Sequence, residues 1–287
     1  MPVVASKSTI RLEASIHLAP GESPGGTTVI RAILLTVDHT PTRPLRAAQV
    51  SFVVALCFPI ASLRAAQPRV PSLPAQPAGY VDYAITNLPP HYQNGPQALD
   101  NTPADNLLTD AGATLGRVLF YDKRLSHDNG VACASCHRQA NGFSDSSQFS
   151  TGINGQLTAR HSMALSNVTF YQSGQMFWDE RAASLEDQAL QPIQSPTEMG
   201  STLPEVVAKL TQTKFYPPLF QAAFGTPEVT PDRIAKAISQ FERSVVSYNS
   251  KFDAVLNGQQ TLTPSEQSGR DLFNGPARCS GCHSTNA

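Results

Sequence analysis

A five-residue pattern that occurs twice, Cys133-Ala134-Ser135-Cys136-His137 and Cys279-Ser280-Gly281-Cys282-His283, constrains this chain more than any other feature. Two thiols three positions apart with an imidazole directly after fit three chemistries: half of a zinc site, a redox dithiol, or a haem attachment point. Zinc would use both pairs as one four-thiolate site, yet 142 residues separate Cys136 from Cys279, whereas zinc modules keep their pairs close. A redox dithiol belongs beside a strand-helix-strand pattern, and none is legible. Covalent haem needs two thiols to add across the vinyl groups and a His beside them as axial ligand, and this spacing supplies both. Cys133, Cys136, Cys279 and Cys282 are therefore read as thioether positions of two haem c groups, with His137 and His283 as proximal iron ligands.

Haem c is attached outside the cytoplasm, so an export signal should precede the motifs. The apolar run Val50 to Ile60 follows Arg43 and Arg46 and leads into Leu63-Arg64-Ala65-Ala66-Gln67. It has the charge, length and small-residue exit of a secretory signal and is too short to span a bilayer comfortably. Arg64 makes the cleavage site imperfect, and bulky Leu56 argues against a lipid anchor on the fifth cysteine, Cys57. Residues 1–42 read as an unstructured leader or an over-extended start, with initiation between Val37 and Leu45. Residues 43–66 read as the signal and 67–100 as a Pro/Ala-rich linker. With 21 Lys+Arg against 22 Asp+Glu over 287 residues, net charge invites neither nucleic acid nor an anionic membrane.

From residue 103 onward the punctuation is helical and no run alternates as a strand does, so the expected fold is all-α with long loops. Pro103 to Tyr121 places Leu107, Leu108, Ala111, Leu115, Val118 and Leu119 near one face. Thr202-Leu203-Pro204-Glu205 reads as a capping box opening a helix through Val206, Val207 and Leu210. Thr230-Pro231 starts another, with Ile234, Ile238, Phe241 and Val245 in register, and Thr263-Pro264-Ser265-Glu266 opens a last one running to Asn274-Gly275. Between them, Ala140 to Arg160 is a long Gly/Asn-rich loop, which reads either as a segment wrapping a cofactor or as a floppy excursion. Met163, Met176 and Met199 are assigned to core packing, and His127 and His161 are not taken as iron ligands.

Several blocks in order resemble the bacterial di-haem cytochrome c peroxidases and their MauG-like relatives. They are L-G-R-V-L-F-Y-D-K-R-L-S (115–126), the first Cys-x-x-Cys-His, A-R-H-S-M-A-L-S-N (159–167), F-W-D-E-R-A-A-S-L-E-D-Q-A (177–189), P-I-Q-S-P-T-E-M (192–199) and the second Cys-x-x-Cys-His. The resemblance implies two cytochrome-c-like domains: a peroxidatic one over 101–248 and the start of an electron-relaying one over 249–287. It implies reduction of hydrogen peroxide with electrons from a small redox protein, a cytochrome c or cupredoxin, in the periplasm. Trp178 resembles the tryptophan lying between the haems, and Gln188 and Glu198 resemble polar residues of the peroxide pocket. A peroxidase needs a group that takes a proton from one peroxide oxygen and gives it to the departing one, and Glu198 is the candidate. The rival readings are an exported electron-transfer cytochrome and a MauG-like oxidase of another substrate.

Three positions depart from the family pattern. Many members carry Gly-His-Gly about sixteen residues after the proximal His, where the His caps the resting iron; here the stretch is Gly152-Ile153-Asn154, and Ile153 cannot bind iron. His161 stands where the family often has an Asn contributing to an inter-domain calcium site, which puts calcium in doubt. Only Ser284 to Ala287 follow His283, so the rest of the second haem domain is expected to be missing from a truncated product or an incomplete record.

Overall fold

Side-chain caps set most of the helix boundaries. The computed structural model describes residues 81–84 and 88–283, all in the unit Ala66–Ala287. The leader, the signal and most of the linker lie outside the described residues. Within them the chain forms α1 (Pro90–Gln93), α2 (Asp110–Tyr121), α3 (Cys133–Cys136), α4 (Leu185–Gln194), α5 (Leu203–Gln212), α6 (Tyr216–Phe224), α7 (Pro231–Arg243), α8 (Lys251–Leu256) and α9 (Pro264–Asn274). The described residues contain only isolated backbone bridges and no strand, as the all-α expectation requires. Among them no helix is long and apolar enough to cross a membrane.

Thr230 Oγ1 accepts from Arg233 N–H and Thr263 Oγ1 from Glu266 N–H, so α7 and α9 open where their Thr-Pro pairs stand. At α9 the capping box is complete, since Glu266 returns a bond from Thr263 N–H at 2.7 Å. At α5 only half of the expected box forms. Thr202 accepts from Glu205 N–H, but the Glu205 carboxylate turns to Lys209 at 2.9 Å and to His127 at 3.1 Å. The helix expected from Pro103 begins seven residues later. Thr102 spends its hydroxyl on Asp100 at 2.6 Å, while Thr109 caps Gly112 N–H at 3.0 Å, and Leu107 is left exposed. The preceding segment is held instead by Asn106, whose amide donates to Glu186 and to the Lys236 carbonyl.

Helices α4, α6 and α8 stand where the sequence reading placed none. In α6 the pair Pro217-Pro218 lies in the first turn, where the missing N–H groups would be unpaired anyway, and Gly225 closes the end at φ +76°. Helix α4 is capped by Ser184 and carries Pro192 inside it. Ser250 and Asp253 form a full capping box for α8. Residues 90–99, read as linker, form helical turns: Tyr92 is buried, its hydroxyl donates to the Ser247 carbonyl at 2.6 Å, and His91 bonds Asp253 at 2.9 Å.

Helices α2 and α7 cross so closely that a Cβ on Gly116 would sit 1.8 Å from the Ala237 carbonyl oxygen. Leu115, Leu119, Ile193, Val206, Leu210, Phe220, Ile234 and Ile238 fill the core around that crossing. Each such side chain contributes roughly 1.5–3 kcal/mol by leaving water. Tyr216 reaches into the same core and satisfies its hydroxyl on Asp122 at 2.6 Å. Beside this core Phe120, Leu165 and Phe241 form a smaller cluster, against which Cys133 packs.

Candidate functional site

The turn α3 is short because it is built to present side chains. Ser135 Oγ accepts from Ala132 N–H at 3.0 Å, and His137 N–H closes the turn on the Cys133 carbonyl at 2.9 Å. Phe120, Phe143 and Phe241 pack behind it, with the Phe120 ring centroid 6.5 Å from that of His137. His137 Nδ1 lies 2.9 Å from the Phe143 carbonyl, which can only accept, so Nδ1 carries the proton and Nε2 keeps its lone pair. Burial holds this imidazole below its usual pKa, against the bond to Phe143 that favours the charged form. A neutral ring with its outer nitrogen tethered is the form in which His ligates iron.

Cys133, Cys136 and His137 line a cavity of about 1520 Å³, beyond the roughly 300–1,000 Å³ of ordinary ligand clefts. Both thiols are free, and burial raises the pKa of each, with Glu242 adding to the effect at Cys133 and a bond from Ser150 opposing it at Cys136. Redox dithiols lie in surroundings that lower the thiol pKa, so this pair is not poised for disulfide exchange. Among the described residues no three His, Cys, Asp or Glu side chains converge as a metal site. A large, partly apolar cavity with two neutral thiols and a neutral His on one wall fits a covalently held haem.

Three sequence-selected residues line this same cavity. Gln188 enters from α4, Trp178 from the 176–182 turn, and Glu198 from the segment after α4. Burial raises the Glu198 carboxyl above the usual carboxylate range, against the pull of Arg181 and a hydrogen bond from Ser195. The backbone of the Gly-rich loop locks this residue in place. Ile153 N–H donates to the Glu198 carbonyl at 2.8 Å, and a Cβ on Gly152 would come 2.0 Å from the Thr197 carbonyl oxygen. Ile153 is itself buried, so the loop carries an apolar anchor where the family often has a His.

Trp178 is not the buried aromatic that core packing would require; it is 58% exposed. Its Nε1–H donates to the His161 carbonyl at 2.9 Å. The turn presenting it holds Phe177 at φ +71° and Glu180 at φ +52°, conformations that cost roughly 1–3 kcal/mol each in non-glycine residues. Paired bonds between Met176 and Ala182 and the Arg181 guanidinium 3.6 Å over the Phe177 ring hold that strain. Met176 and Met199 are core residues as expected, whereas Met163 is exposed on the cavity wall. His161 also lines the cavity, with Nε2 on Ser144 Oγ and Nδ1 on the Ser147 carbonyl, both at 3.0 Å. His127 lies away from it, paired with Glu205.

The second motif has a different setting. His283 N–H closes on the Cys279 carbonyl at 2.9 Å and Phe273 lies 6.4 Å from the His283 ring, but Cys282 and His283 are exposed and α9 buries no residue. Cys279, Cys282 and His283 do not line the large cavity. The sequence reading also missed Glu242, a buried carboxyl on the cavity wall. The signal was there, since 234, 238 and 242 continue one helical face.

An all-helical chain with Cys-x-x-Cys-His on the wall of a large cavity, and a second copy further on, defines a cytochrome-c-like haem protein. The comparisons make this specific: residues 110–261 match the family model described as di-haem cytochrome c peroxidase, and the chain belongs to that family. It is 36% identical over 203 residues to the methylamine utilization protein MauG of Methylophilus methylotrophus, covering 69% of this chain and 60% of that one. It is 39% identical over 175 residues to the cytochrome c551 peroxidase of Nitrosomonas europaea, covering 60% and 51%. A crystal structure of a MauG-like protein associated with microbial copper homeostasis superposes with a TM-score of 0.62 at 35% identity, covering 69% of this chain and 57% of that one. The chain thus spans about half to three-fifths of the length of these relatives.

Proposed function

We propose that this chain reduces hydrogen peroxide to water in the cavity walled by Cys133, Cys136 and His137, with electrons from a small redox protein outside the cytoplasm. The observation that carries the reading is Glu198: a half-buried carboxyl with raised pKa on the wall of the cavity that the attachment cysteines share. A haem held there supplies an iron for peroxide to bind and a carrier for the two electrons that break its O–O bond. The chain's own residues manage the protons. Glu198 takes a proton from one peroxide oxygen and returns it to the departing one, and the burial that raises its pKa favours the protonated form that makes the return. Gln188 orients the substrate, and the apolar wall formed by Ala189, Pro192, Met199 and Ile238 limits water. Trp178, exposed on the same cavity, is the entry point for electrons arriving from a second haem on Cys279, Cys282 and His283.

Ile153 favours a site that accepts peroxide in the oxidised protein without prior reduction, because an apolar side chain cannot cap iron and both His161 nitrogens are engaged. The same feature favours a second reading, oxidation of an organic or protein substrate through Trp178 at the surface. Protein matured with haem should carry covalent haem on both motifs and consume peroxide when supplied with a reduced cytochrome c, and its oxidised form should bind cyanide at once. Haem with no peroxide consumption would leave an electron-transfer cytochrome.

A further inference from the structure

Glu242 is a charged residue type on the buried face of α7. It follows Ile234 and Ile238 at steps of four, and both Ile238 and Glu242 line the cavity beside Cys133. The residue is 5% exposed, and its Oε2 is buried without a hydrogen-bond partner. The adjacent cation is committed elsewhere: Arg243 makes bonds of 2.5 and 3.1 Å to Glu186 and one of 3.2 Å to Asn101. An ionised carboxylate is strongly disfavoured in such a place. Burial pushes the Glu242 carboxyl up to about 8, with Arg243 opposing and Glu186 reinforcing the rise.

Among the charges acting on the Cys133 sulfur, Glu242 is the strongest, ahead of Glu198. Of the charged groups acting on Glu242, Arg243 follows it on α7 and Glu186 comes from α4, while α2 turns only uncharged residues inward; Glu198, from the segment after α4, acts on the Cys133 sulfur. A Cys133 sulfur joined in a thioether cannot titrate, whereas the Glu242 carboxyl on the same cavity wall can.

We propose that Glu242 is a redox-linked proton site: it takes up one proton when the haem attached at Cys133 and Cys136 gains an electron, and gives it up when the electron leaves. This rests on the haem reading above. In the uptake step ferric iron becomes ferrous with one electron from the reduced redox protein, and the carboxylate becomes a carboxylic acid with one proton drawn from water, so the net charge of the site is unchanged. The driving force is electrostatic, because each added electron removes a positive charge that favours the ionised carboxylate. The stored proton then lies on the wall of the cavity where peroxide reduction consumes two.

The test is a spectroelectrochemical titration of the haem-loaded full chain with mediator dyes, from about pH 5 to about pH 9. The signal lost in Cys133→Ala/Cys136→Ala identifies the relevant haem. Its potential should fall as pH rises, by up to about 59 mV for each tenfold drop in proton concentration, the one-electron, one-proton limit. Glu242→Gln, similar in shape but unable to titrate, should flatten that dependence, and Glu242→Asp should restore a slope displaced in pH. Reduction-induced infrared difference spectra of the unaltered protein should show a carboxylic acid C=O band gained on reduction. A flat wild-type profile, an unchanged slope in Glu242→Gln, or no such band overturns the proposal while leaving the haem reading intact. Absence of covalent haem on Cys133 and Cys136 overturns both.

Discussion

The two copies of Cys-x-x-Cys-His close on the same backbone bond and stand in opposite surroundings. In each, the His N–H meets the first Cys carbonyl at 2.9 Å. In each, a Phe from an earlier helix lies tilted against the His ring, at 6.5 Å and 52° in the first and 6.4 Å and 49° in the second. Yet the first copy is walled in by residues drawn from 158–199 and 238–242, while the second stands on α9, which buries nothing. The pentapeptide therefore encodes attachment only. Buried carboxyls, apolar walls and the strained Trp178 turn all come from residues far from it in sequence.

That contrast can be broken most sharply at the cysteines. Replacing Cys133 and Cys136 with Ala should remove a group that fills the cavity of the folded domain, lowering unfolding free energy by more than about 4 kcal/mol. The same change at Cys279 and Cys282 should cost below about 1 kcal/mol, since no described core packs on that motif. Denaturant melts of the two variants would show it, and equal losses would mean the second motif has a core of its own.

A smaller effect is expected at the glycine behind the first motif. Gly116→Ala drives a Cβ into the Ala237 carbonyl and should cost about 1–3 kcal/mol, as overpacking does. The pH dependence of stability set by Glu242 is a separate effect. Its carboxyl sits at about 8 in the folded chain against an ordinary 4.5, so across that window the native state holds a proton that the unfolded chain has lost. Stability from this group is complete below the lower value and falls as pH rises to the upper one. Melting temperature should therefore decline less from about pH 5 to about pH 8 in Glu242→Gln than in wild type. Least of all, Gly269→Ala on α9 meets nothing within 4 Å and should stabilise that helix by below about 1 kcal/mol, read by slower amide exchange there.

The features legible in the sequence are those set by short-range forces. Caps are local, so Thr230 and Thr263 mark the starts of α7 and α9, and the paired cysteines declare their chemistry without any fold. Boundaries failed where two local signals competed: the helix read from Pro103 starts only at Asp110, because Thr102 spends its hydroxyl on Asp100 and Thr109 supplies the cap. Pro217-Pro218 and Pro192 hid α6 and α4, because a proline can break a helix, sit in its first turn or be carried inside it, and the packing of the whole helix decides which. The cavity was legible only through family-like blocks that named Trp178, Gln188 and Glu198; nothing local reveals that these three face one space. Glu242 escaped because charge in a helix reads as surface, although its spacing from Ile234 and Ile238 placed it on the inner face.

Peroxide chemistry in the first cavity stands or falls on Glu198. Peroxide consumption by haem-loaded Glu198→Gln, with reduced cytochrome c as donor, should fall by roughly 10²-fold or more, the usual size of a lost acid/base, with the haem absorbance spectrum unchanged. Turnover equal to wild type would show that this carboxyl does not handle the peroxide proton and that the cavity has been assigned the wrong chemistry.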